Sequence, residues 1–220
     1  STLQSLKLQP NHPGALMNLG STYKDLGNLD QALASTLQSL KLQPHNPGAL
    51  MNLGSIYQDL GSFDYALAST LKSLKLRPDN PIALMNLGGI YKDLGKLDQA
   101  LASVLQSLEL KSDNPGAFIN LGIIYQDIGK LDEALASTLQ SLKLEQDNPI
   151  SLMNLGSIYH DMGKLDLALA STMHSIELQP DNPDAYLNLG GIYQDLGNLE
   201  QALTSVLQSL DLKPDNPKAL

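Results

Sequence analysis

This chain is built from copies of a single segment at a fixed period. Full copies span 13–46, 47–80, 81–114, 115–148, 149–182 and 183–216, and the first two differ at only eight positions. Residues 1–12 match the end of a copy and residues 217–220 begin another, so the expectation is a single repeat array over 1–220. The copies abut and leave no linker between them. A segment this short cannot bury an apolar face alone. It becomes stable by stacking on neighbours that supply the missing surface.

Each copy reads as two helices. The first opens at Asn-Pro, as at Asn80-Pro81, with Asn as cap and Pro at the first helical position, where its missing N–H is not needed. It stops at a glycine (Gly27, Gly61, Gly95, Gly129, Gly163, Gly197), the residue that most readily takes the positive φ of a helix end. The second helix carries an acid in its first turn (Asp30, Asp64, Asp98, Asp132, Asp166, Glu200), which suits the helix dipole. In the third copy Leu97, Ala100, Leu101, Val104 and Leu108 step by three and four, an apolar stripe at helical period. Counting the partial helix at the start, thirteen helices are expected.

With Pro13 as position 1, every copy has Leu at 7, Gly at 8, Tyr at 11, Gly at 15 and Ala at 20, with Pro at 32 in most. This pattern resembles the tetratricopeptide repeat and covers essentially the whole chain. Departures are local: position 4, often Trp in the family, is Leu, Phe118 or Tyr186. Position 24 is Thr or Val, position 27 is Ser, and Pro at 32 gives way to Ser112 and Gln146. The resemblance implies an all-α fold, a right-handed α-solenoid in which the first helix of each copy lines a concave groove.

Helical spacing sorts the first helix into faces. Positions 4, 7, 8 and 11 form the expected packing face. Positions 2, 6, 9 and 13 form another, which in the family faces the groove. Position 6 is Asn18, Asn52, Asn86, Asn120, Asn154 and Asn188, and beside it position 5 holds Met17, Met51, Met85 and Met153, with Ile119 and Leu187 in the other two copies. Position 13 is Asp25, Asp59, Asp93, Asp127, Asp161 and Asp195. A primary amide both donates and accepts, so an Asn row can pair with the backbone of an extended peptide whatever its side chains. Met supplies adaptable apolar contact. The row is similar to the asparagine-lined superhelix of O-linked N-acetylglucosamine transferase. Other readings stand beside this one: Asn bridging neighbouring helices, and Asp pairing on the rim with lysines such as Lys24 and Lys92.

The expected ligand is a protein or peptide, neutral or basic rather than acidic. The two-carboxylate clamp that holds acidic chaperone tails in this family needs basic residues at positions 2, 5, 6 and 9, and none stands there. The 14 Lys and Arg against 23 Asp and Glu give a net charge of −9, a poor match for nucleic acid. No run of 18 apolar residues suggests a membrane helix; the location stays open, with the lack of a visible targeting segment favouring cytoplasm. There is no Cys, and His12, His45, His160 and His174 lie in unrelated places. Catalysis needs unlike groups converging at one point, so a non-enzymatic scaffold without cofactor or metal is expected. Position 27 Ser reads as small-residue packing. Two alternatives remain: a substrate-recruiting arm of a larger enzyme such as a glycosyltransferase, and a structural spacer that associates head to tail through uncapped ends.

Overall fold

A computed structural model of the chain describes residues 12–214. Among them are twelve helices and no strand. The first helices are α1 (Pro13–Asp25), α3 (Pro47–Asp59), α5 (Pro81–Asp93), α7 (Pro115–Asp127), α9 (Pro149–Asp161) and α11 (Pro183–Asp195). The second helices are α2 (Leu29–Leu42), α4 (Phe63–Leu76), α6 (Leu97–Leu110), α8 (Leu131–Leu144), α10 (Leu165–Leu178) and α12 (Leu199–Leu212). The expected helix over Ser1–Leu8 and the helix start at 217–220 lie outside the described residues.

Helix boundaries follow the local chemistry. The Asn46 side chain accepts from the backbone N–H of Ala49 at 3.2 Å, and that of Asn148 from Ser151 at 2.9 Å. Both satisfy donors that the first helical turn leaves unpaired. In the first copy His12 takes this part, its Nδ1 accepting from Ala15 at 3.1 Å. Each first helix is closed by a glycine with φ between +68° and +82°, and among the described residues these are the only ones with positive φ.

Pairing of the two helices depends on closeness at position 8. A Cβ on Gly54 would run into the Thr70 hydroxyl and stand 3.2 Å from the Ala66 carbonyl oxygen. Gly88 meets Val104 in the same way. A second tie was not foreseen: the position 27 serine is fully buried and donates to the carbonyl of the proline that opens the first helix. Ser39 reaches Pro13, Ser73 reaches Pro47, Ser107 reaches Pro81 and Ser175 reaches Pro149, each at 2.7 Å. Ser141 reaches Pro115 at 3.1 Å while also bonding the buried Ser151 hydroxyl at 2.9 Å. These serines therefore bond as well as pack.

The buried face of the first helix is wider than positions 4, 7, 8 and 11. Ala at 3 and Ile at 10 are sealed in (Ala83 and Ile90, Ala117 and Ile124, all 0% exposed), whereas Tyr at 11 is only half-buried.

By contacts the chain divides into two units, Ser1–Ser112 and Asp113–Leu220. In the first, α1, α3 and α5 touch in succession, and α2 and α4 each also pack on the following first helix. In the second, α7, α9 and α11 do the same, with α8 and α10 packing on α9 and α11. Within either unit the backbones of successive second helices stay farther apart than those of successive first helices. The first helices therefore crowd the inner side of each stack, and the second helices spread over the outer side. Each unit is an all-α solenoid of helix–turn–helix copies. On α12, Leu199 and Leu203 are 67% and 62% exposed, although their counterparts Leu165 and Leu169 on α10 are half-buried.

Candidate functional site on the inner side of the first helices

Position 6 of the first helices carries an asparagine in every copy of each unit. In the first unit Asn18 is exposed and Asn52 and Asn86 are half-buried. The Asn52 amide donates to the Met17 carbonyl of the preceding copy at 3.5 Å, a long contact at the limit of a hydrogen bond. In the second unit Asn120 and Asn188 are half-buried. Asn154 is 7% exposed, and its buried Nδ2 has no partner. Some bridging between copies is thus present, yet a primary amide has two N–H groups and an acceptor oxygen. One bridge leaves capacity for a ligand.

The methionines sit at the joints between copies. Met17, Met51, Met85 and Met153 are all half-buried. The Met17 sulfur would lie 3.2 Å from a Cβ placed on Gly48, in the first turn of the next first helix. Asn80, the cap of α5, directs its Nδ2 at the Met51 sulfur at 3.8 Å, and Asn182 directs its own at Met153 at 3.6 Å. These sulfurs therefore pack toward the neighbouring copy as well as flanking the Asn row.

Four of the aspartates at position 13 form rungs. Each of the four pairs with position 12 of the copy before it: Lys24 with Asp59 at 3.2 Å, Gln58 with Asp93 at 2.6 Å, Gln126 with Asp161 at 2.6 Å and His160 with Asp195 at 2.8 Å. Gln126 also donates to Ser157 at 2.8 Å, and Lys92 pairs with its own neighbour Asp93 at 3.1 Å. Lysine pairing on the rim was foreseen. The step from one copy to the next, and the use of Gln and His as partners, was not. The Asp59 and Asp195 side chains remain 42% and 57% exposed, and Asp25 and Asp127 are exposed as well. Carboxylate oxygen thus still faces solvent along the rim and can meet a basic group.

Among the described residues no group of three His, Asp or Glu side chains could hold a metal ion, and no helix is long and apolar enough to cross a membrane.

Comparison with known proteins gives a consistent family assignment. One tetratricopeptide-repeat model matches residues 13–46, 47–80 and 183–216, a second matches 88–129 and 156–197, and a third matches 119–172. No curated protein matches the sequence. Among solved structures, the chain is similar to one in the crystal structure of the APC/C hetero-tetramer Cut9-Hcn1, with a TM-score of 0.87 at 17% identity. That match covers 99% of this chain and 43% of the other, so this chain spans less than half its length. TTC0263, a thermophilic tetratricopeptide-repeat protein of Thermus thermophilus, gives a TM-score of 0.76 at 27% identity, covering 83% of this chain and all of that one. YrrB, described as a tetratricopeptide-repeat protein with an unusual peptide-binding site, gives 0.54 at 22% identity over 84% and 95% of the two chains. With the helix pairs, glycine contacts and stacking already described, these matches show that the chain belongs to the tetratricopeptide-repeat family, whose members are generally protein-interaction scaffolds.

Proposed function

We propose that this protein is a non-enzymatic scaffold that holds an extended peptide segment along the inner side of its first helices. The observation that carries this reading is the asparagine row, in which Asn18 is exposed and Asn52, Asn86, Asn120 and Asn188 are half-buried, so that amide groups capable of donating and accepting reach the surface. The exposed carboxylates at the rim favour a neutral or basic segment over an acidic one, and a peptide-binding relative of this fold, YrrB, is consistent with the reading.

Panning a peptide library against the protein and an Asn120→Ala/Asn154→Ala/Asn188→Ala variant tests it. The variant should keep its helicity, and its melting temperature should change little, because the one buried amide of the three, Asn154, has an Nδ2 that makes no hydrogen bond. It should lose the peptides that wild type retains, at about 0.5–1.5 kcal/mol per hydrogen bond. A large fall in melting temperature would instead make the amides structural bridges. Peptides held equally by both proteins would place binding elsewhere.

A further inference from the structure

The second unit carries a hollow between the two helices of the sixth copy that differs in chemistry from a hollow in the first. In the second copy, positions 4, 7, 22 and 23 (Leu50, Leu53, Ala68, Ser69) form a hollow of about 270 Å³ together with Leu40 and Pro44 of the first copy, and Lys72 at position 26 stands on its lip. In the sixth copy the same five positions, joined by Tyr193 and Gln201 instead of residues of the preceding copy, line a hollow of about 450 Å³ whose walls are different. Tyr186 replaces the Leu of position 4, and Thr204 replaces the Ala of position 22. Gln208 stands where Lys72 does. Every other full copy has Leu or Phe at position 4 and Ala at position 22, so the sixth copy departs from the array at two positions that share one hollow.

Tyr193 and Gln201 complete the polar lining, over a floor that includes the buried Leu189. The Thr204 hydroxyl donates to the Glu200 carbonyl and the Ser205 hydroxyl to the Gln201 carbonyl, both at 2.8 Å, which leaves their oxygens as acceptors. Gln201 and Gln208 are exposed and offer amide donors and acceptors. The phenol groups of Tyr186 and Tyr193 can do both. No charged side chain lines the hollow.

Each plain alternative fits poorly. A phosphate, carboxylate or ammonium group would find no counter-charge, and an aliphatic ligand would strand several polar groups against its surface. Two aromatic rings ringed by neutral groups that donate and accept suit a molecule with apolar C–H faces and a belt of hydroxyls. We propose that this hollow of the sixth copy is a binding site for a neutral saccharide, separate from the asparagine row of the proposed peptide site.

Titrating the protein with cellobiose while following backbone amide chemical shifts tests the assignment, with glucuronate and cyclohexanol as charged and hydroxyl-poor probes. Saturable shifts are expected around Tyr186–Tyr193 and Gln201–Gln208 with cellobiose, and much weaker ones with the other two. Tyr186→Leu with Thr204→Ala restores what other copies carry, so folding is not threatened. That pair should weaken cellobiose binding about tenfold or more. Tyr193→Phe, which removes only a hydroxyl, should weaken it less. No saturable shift with cellobiose, equal response to glucuronate or cyclohexanol, or binding unchanged in the double variant would each overturn the proposal.

Discussion

Position 24 shows how finely the helix pairs are fitted. The hydroxyls of Thr36, Thr70, Thr138 and Thr172 are buried without a hydrogen-bond partner against the position 8 glycine of the same copy. The third copy puts Val104 there, equally buried. Valine has almost the same shape, so the threonine hydroxyl adds desolvation without a bond in return. Thr70→Val should therefore raise the unfolding free energy by about 1 kcal/mol, read as a higher midpoint in guanidinium at unchanged slope. A lower midpoint would mean that the hydroxyl finds a partner in solution.

Between the helices of a copy, the serine–proline bond ties the end of the second helix to the opening of the first. Ser73→Ala keeps volume nearly constant and gains a little helix propensity, but leaves the Pro47 carbonyl without its buried side-chain donor. A loss of about 1 kcal/mol is expected with unchanged circular dichroism; a loss near zero would mean that water replaces the hydroxyl. This bond also marks what could be read in advance. Proline starts and glycine stops act over a few neighbouring residues, and every described first helix runs from the one to just short of the other. The serine's acceptor lies most of a copy away in sequence, and nothing local announces it. Similarly, Ala at 3 and Ile at 10 are sealed because the first helix packs on its own second helix and also on adjoining copies, which widens its buried arc beyond one stripe. Of the proposed site, only the recurrence of asparagine at position 6 could be read from the sequence; that it faces a groove was an expectation from the family resemblance. The methionine joints and the position 12 rungs could not be read, since both depend on how one copy leans on the next.

In the array as a whole, each copy draws its stability from its neighbours, so protection should vary along the chain. The helix α12, with Leu199 and Leu203 largely exposed, should exchange its amide hydrogens faster than α10, whose equivalent leucines are covered. Hydrogen-exchange mass spectrometry checks this, and equal protection of the two helices would mean that something covers α12 in solution. The rungs carry a different consequence. One member is always aspartate, whereas the other is lysine, glutamine or histidine. A coupling with one fixed socket and several interchangeable plugs does not specify which copy must follow which. Whole copies can be duplicated, lost or shuffled in the gene with the seam intact, and the array can change length without a new joint having to evolve.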